Sequence, residues 1–140
     1  MASLQSDYIY KYMANGSVNF STDTFKCCLL TSSYTPSKTH AYRSDVNTYE
    51  VTGTNYTAGG NTATATIDAT DTTNHKQTIS WSITSWPSST ITARYGAIYK
   101  ARGGAASADE LIGILDFGSN QSSSAGTFAV SVTTPITFNN

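Results

Sequence analysis

Side chains able to do covalent or metal chemistry are few in this sequence: two histidines, two cysteines and nine carboxylates. Nucleophilic catalysis needs a hydroxyl or thiol beside a base that a third group orients. His40 lies in an irregular stretch and His75 in Asp71-Thr-Thr-Asn-His-Lys76, a turn. Hydroxyls are so abundant that each histidine has some nearby, which carries no specificity, and both histidines read as solvated loop residues. No G-x-S-x-G elbow, H-E-x-x-H pair or phosphate-cradling G-x-x-x-x-G-K-[ST] loop is present. The carboxylate pairs Asp68/Asp71 and Asp109/Glu110 border turns. They read as turn formers and solubilising charges rather than as an acid/base pair or a calcium loop, which needs more oxygen ligands. Catalytic, cofactor-binding and metal-ligating residues are therefore all expected to be absent.

Cys27 and Cys28 are neighbours in Thr24-Phe-Lys-Cys-Cys-Leu-Leu-Thr31. On a strand they point to opposite faces, so they read as two reduced small hydrophobes rather than a disulfide. Asp116, between Leu115 and Phe117, would need a partner if buried, and Arg94 is the candidate. Trp81 alternates with Ile79 and Ile83 and reads as core. Trp86, before Pro87, is expected to be exposed and is the one possible glycan contact. The Asn-x-Ser/Thr triplets, such as Asn55-Tyr-Thr57, are expected by chance in so hydroxyl-rich a chain.

The elements that must hold these residues follow from composition and period. At 140 residues the chain is the size of one domain, and 1–140 reads as a single β-sandwich domain. Charged residues make up only 12% and net charge is −1, which excludes a basic field for nucleic acid. Serine and threonine supply roughly 30% of the chain, far above ordinary usage. No apolar run approaches the roughly 18 residues of a membrane span. Met-Ala-Ser-Leu-Gln-Ser-Asp has no basic or apolar signal region, so no secretory leader is expected.

Residues 1–16 hold the only expected helix, capped by Ser3 or Ser6, with Tyr8/Tyr12 and Ile9/Met13 at i,i+4 and Asn15-Gly16 as its stop. Strand-like segments follow at Val18–Phe20 and Phe25–Thr31. Thr62–Ala69 alternates with alanines and Ile67 on one face; Gln77–Thr84 alternates with Ile79, Trp81 and Ile83 inward and hydroxyls outward. After a turn at Trp86-Pro-Ser-Ser, Ile91, Ala93, Tyr95, Ala97 and Tyr99 share a face. Glu110–Phe117 is apolar on both faces and reads as central. Gly118–Gly126 reads as a polar loop, and Thr127–Phe138 as a last strand bent at Pro135. An all-β fold results: an antiparallel sandwich or jelly-roll-like domain with a short N-terminal helix. The 32–61 stretch exceeds ordinary loop length. Its tyrosines Tyr34, Tyr42, Tyr49 and Tyr56 either contact a partner or cover the sandwich.

Several segments, taken in order, resemble a family of small structural proteins of tailed bacteriophages. They are Tyr12-Met-Ala-Asn-Gly-Ser-Val-Asn-Phe-Ser-Thr-Asp-Thr-Phe-Lys26 running into Cys27–Pro36, Glu50-Val-Thr-Gly-Thr-Asn-Tyr-Thr-Ala-Gly-Gly60, Ser88–Tyr95, Leu111-Ile-Gly113 and Asp116-Phe-Gly-Ser119. The chain departs from that pattern at Cys27-Cys28, where Val-Ala is usual. The resemblance implies a non-enzymatic virion component, made in the host cytoplasm. Among such roles, a head decoration (cement) protein on the capsid surface is favoured, with the major capsid protein and copies of itself as partners, as a homotrimer. The interface would then include Tyr8, Tyr12, Tyr34, Tyr42, Tyr49 and Tyr56. A tail or fibre module binding host glycans through Trp86 and exposed tyrosines, or a tail adaptor subunit, is the alternative.

Overall fold

Period-2 alternation is realised in seven strands. The computed structural model describes residues 2–134 and 136–139. The strands are β1 (Ala2–Gln5), β2 (Phe25–Leu30), β3 (Asn61–Ile67), β4 (Lys76–Ile83), β5 (Trp86–Lys100), β6 (Leu111–Phe128) and β7 (Ile136–Asn139). They form one antiparallel sheet in the order β1-β6-β5-β2-β3-β4-β7, nearly closed into a barrel. The all-β expectation with a short N-terminal helix holds: strands take 49% of the residues and helices 11%.

Residues with alternate parity along β2 serve two separate cores. Phe25, Cys27 and Leu29 join the larger cluster with Ile79, Trp81, Ile98, Ile112 and Leu115. Cys28 and Leu30 join a second cluster with Tyr34, Val46, Tyr95, Tyr99, Leu111 and Ile114. The second cluster lies on the other face of β2, β5 and β6, where the 32–61 segment covers it. That cover explains why Leu111–Leu115 is buried on both faces. Both cysteines are buried and free, and burial pushes the Cys27 thiol up to about 12 and raises that of Cys28.

Several local expectations are corrected. The first residues are strand, because Ala2–Gln5 pair along β6 from Asp116 to Gly113; the helix α1 spans only Ile9–Ala14. Ser3 therefore lies in β1, and the Ser6 hydroxyl, just before α1, accepts from Tyr8 N–H at 3.3 Å. Trp86-Pro-Ser-Ser opens β5 instead of preceding it, and the turn is absorbed as a bulge with Ser88 at φ 48 and a register shift before Ser89. Gly118–Gly126 is strand rather than loop: Gln121, Ser122 and Ser123 pair with Ala93, Thr92 and Ile91. Thr127–Phe138 is interrupted, since β6 ends at Phe128 and β7 begins at Ile136; the bend expected at Pro135 lies outside the described residues. The single apolar face expected for β5 is divided. Ile91 and Ala93 lie in one core and Tyr95, Ala97 and Tyr99 in the other, because the β5–β6 register shifts between Ala93 and Tyr95.

Candidate functional site

Helix α1 is too short to be stable alone, and its packing decides what it displays. Ile9 and Tyr12 face the core. The remaining positions turn outward: Tyr10 is 61% exposed, Met13 41% and Tyr8 38%. Tyr8 stacks on Tyr12 with ring centroids 6.2 Å apart, and Tyr12 meets Tyr42 at the same distance. Tyr42, also 38% exposed, is held in place because Asp45 accepts hydrogen bonds from Ala41 N–H and Tyr42 N–H at 2.8 and 2.9 Å. Tyr8 and Tyr42 thus flank the buried Tyr12 on one side of α1, while Tyr10 lies on the β7 side with its ring 5.8 Å from Phe138. Large apolar side chains clustered on a surface mark contact sites more often than single ones do.

The expected interface tyrosines divide into two groups. Tyr8, Tyr42 and Tyr49 are exposed. Tyr12 and Tyr34 are buried, so their rings cannot touch a partner directly, and this corrects the expectation for both. Tyr12 Oη donates to Ala41 O at 2.6 Å, and burial raises its phenol well above the ordinary value. Tyr34 Oη bonds His40 Nδ1 at 2.8 Å, its ring packs against Tyr49 and Tyr95, and burial pushes its phenol up to about 12. Tyr34 thus supports the exposed Tyr49 from beneath.

Tyr56 is the centre of a latch. Its Oη accepts from Leu29 N–H at 2.9 Å and donates to Glu50 Oε1 at 2.6 Å. Glu50 Oε1 also accepts from Gly59 N–H, and Gly59 O accepts from Tyr99 Oη, each at 2.6 Å. Burial, reinforced by nearby Cys28 and Glu50, raises the Tyr56 phenol far above its usual range. Gly60, at φ +76, sits where a Cβ would fall 1.8 Å from Cys27 O. The Glu50–Gly60 motif therefore fastens the 32–61 segment to β2, a structural task. Backbone bonds from Thr31 N–H to Tyr49 O and from Val51 N–H to Leu29 O extend the same seam.

The sparse charges are mostly spent within the molecule. Arg43 pairs with the buried Asp109 at 2.9 Å, Arg102 with the buried Glu110 at 2.5 Å, and Lys100 with Asp23 at 3.0 Å. Asp109 and Glu110 are thus interior ion-pair partners rather than solubilising turn charges. Arg94 meets Asp116 at 3.0 Å as expected, although Asp116 is only partly covered. The Arg94 hydrogen bond and Gly118 N–H hold that carboxyl below the ordinary range. Asp68 accepts from Ser80 and Thr78 hydroxyls at 2.6 and 2.7 Å, which lower its pKa. Asp7 alone among the acids has neither an ion pair nor a side-chain hydrogen bond among the described residues.

Trp86 is not exposed as expected. It is only 2% exposed, with Tyr56 and Phe128 rings 6.0 and 6.1 Å away, so it has no face for a sugar ring. A proline after it suggests a loop, but pairing with Phe128 draws it into the sheet. Sequence reasoning missed Tyr10 and Met13 as surface residues. The signal was available in the helical period: with Ile9 and Tyr12 inward, Tyr10 must point away. Histidine and carboxylate chemistry does not converge, and among the described residues no group of three or more His, Cys, Asp or Glu side chains is placed to hold a metal ion. Comparison with protein-family models, curated proteins and solved structures finds no match for this chain.

Proposed function

We propose that this chain is a non-enzymatic structural protein of a tailed-bacteriophage virion, and within it a head decoration protein that binds the outside of the capsid. The observation that carries the reading is the set of large exposed side chains on and beside α1, namely Tyr8, Tyr10, Met13 and Tyr42. Aromatic anchors with a polar handle are typical of a lasting protein interface. The ordered resemblance along the chain supports the virion assignment. Its Glu50–Gly60 stretch is absorbed by the latch, which leaves the exposed side chains of α1 and Tyr42 to engage a partner.

The neutral outer face of β3 and β4 supports the same reading. Thr64 and Thr66 stand opposite Ser82 and Ser80, so crowded neighbours, copies of the same chain among them, meet hydroxyls rather than like charges. Decoration then works by mass action: a protein that binds only the assembled shell stabilises it against rupture. The test is cryo-electron microscopy of the virion with quantification of the protein. The proposal expects a copy number comparable with that of the major capsid protein and heads that rupture more easily when the protein is missing. A few copies confined to the tail would refute it.

A further inference from the structure

Seven strands with every neighbouring pair antiparallel leave the first and last pointing the same way. β1 and β7 therefore face each other across the barrel seam as parallel edges. Direct closure would place one parallel pair in an otherwise antiparallel ladder. A single further strand, antiparallel to both, would complete an even-numbered barrel. No β1–β7 ladder is formed among the described residues; across the seam Gln5 Nε2 donates to Thr137 O at 3.1 Å, and the Tyr10 ring meets that of Phe138 at 5.8 Å. The Gln5 bond is made by a side chain reaching across, not by paired main-chain groups.

The seam also holds an unmet hydrogen-bond donor. Trp81 is 7% exposed and its indole N–H, like that of Trp86 away from the seam, has no partner among the described residues. Trp81 lines a cavity of ≈ 10 Å³ at the seam together with Leu4, Gln5, Ile98, Leu115 and Ile136. Outside the same edge, a cleft of ≈ 310 Å³ runs along Ser3–Asp7 with Tyr10, Lys38 and Thr137.

We propose that the β1–β7 seam accepts an extended segment of another polypeptide as an eighth, antiparallel strand. Main-chain N–H and C=O groups turned outward from two edges recognise only a backbone with the same pitch and alternation. The inner cavity restricts the inward side chain to glycine, alanine or serine, while the outer cleft admits larger residues. Gln5 swings aside, and a carbonyl of the added strand gives the Trp81 indole its acceptor. A second copy of this chain is a poor donor, because its own β1 and β7 are already paired with β6 and β4 and giving up either opens its own sheet. The inference stands whether or not the chain belongs to a virion.

The test is titration of the ¹⁵N-labelled protein with a short, capped peptide of alternating threonine and alanine. The Trp81 indole signal is expected to move downfield while that of Trp86 stays. Amide exchange in β1 and β7 is expected to slow by at least about tenfold. Peptides with leucine for alanine, or with a central proline, should do neither. Gln5→Ala should bind the alternating peptide several-fold more tightly; should that variant misfold, the wild-type titration decides alone. An unmoved Trp81 signal at millimolar peptide overturns the proposal. So does slow exchange of β1 and β7 in a self-associated species without peptide, which assigns the seam to a second copy.

Discussion

Replacing Tyr56 by phenylalanine removes one oxygen and unfastens the 32–61 segment. Leu29 has no exposed surface, so its N–H, which the phenol oxygen accepts at 2.9 Å, is left buried without a partner. That costs about 1–3 kcal/mol. The Glu50 carboxylate loses a 2.6 Å bond from the same hydroxyl; because Glu50 is half-buried, water replaces part of it, and about 1 kcal/mol is lost. The expected destabilisation is about 3 kcal/mol, a large fraction of the roughly 5–15 kcal/mol that holds a domain together. Urea unfolding followed by tryptophan fluorescence should show a lower midpoint at unchanged slope, with the melting temperature down by about 10 °C. A Tyr56→Phe/Glu50→Gln cycle should give a coupling of at least about 1 kcal/mol. A loss below about 0.5 kcal/mol, the size of an ordinary surface change, would refute the latch.

Three further outcomes follow from the same geometry. Gly60→Ala should leave little soluble folded protein, since its Cβ meets Cys27 O, whereas Gly104→Ala, with open space around it, should unfold within about 0.5 kcal/mol of wild type; expression and melting curves separate the two. Trp86→Ala should cost about 3–5 kcal/mol as a core deletion, measured by denaturant unfolding, and should leave glycan binding no different from that of wild type. Tyr12, Tyr34, Tyr56 and Tyr99 all have phenols raised by burial. The native state thus holds protons that the unfolded chain releases near pH 10, so stability is full below that pH and falls as pH rises beyond it. Difference absorbance should show these phenols ionising only together with loss of fold; their titration within an intact barrel would contradict the assignment.

Strict alternation made β3 and β4 legible, because hydroxyls and apolar residues there take turns without interruption. Cys27 and Cys28 were legible for the same reason, each falling to the face that its parity dictates. The Arg94–Asp116 pair could be anticipated because a carboxylate between two apolar neighbours demands a cation. What stayed hidden depends on partners distant in sequence. Ser122–Ser124 looks like a loop by composition, but pairing with β5 makes it strand, and such long-range pairing overrides local preference. Ala2–Gln5 reads as the start of a helix until the edge of β6 is available to it. Trp86 looks exposed beside Pro87 because the bulge that turns it inward leaves no trace in residue types. The exposed side chains on and beside α1 were half visible: tyrosines in α1 were noticed, but which of them faced outward required knowing that Ile9 and Tyr12 pack inward.

The charge economy connects fold and surface. A chain with so few ionisable groups could have scattered them for solubility. Here Arg43, Lys100 and Arg102 instead tie the 32–61 segment, the Asp23 turn and the β5–β6 connection together. Arg43 also lies over the Tyr99 ring at 5.0 Å, and so braces the second core from its covered face. What is left outside is mainly hydroxyl and aromatic, a surface suited to standing contacts with neighbours.

The most direct test of the central claim is binding of the purified protein to heads that lack it, comparing wild type with Tyr10→Ser and the Tyr8→Ser/Tyr42→Ser pair. The account predicts that the variants stay folded at the assay temperature, losing about 1–3 kcal/mol through their ring contacts with Tyr12 and Phe138, as melting curves check. It also predicts that the variants lose at least about tenfold in affinity for heads, about 1.4 kcal/mol or more. Unchanged binding by these variants, or no binding of the wild type to heads at all, would contradict it.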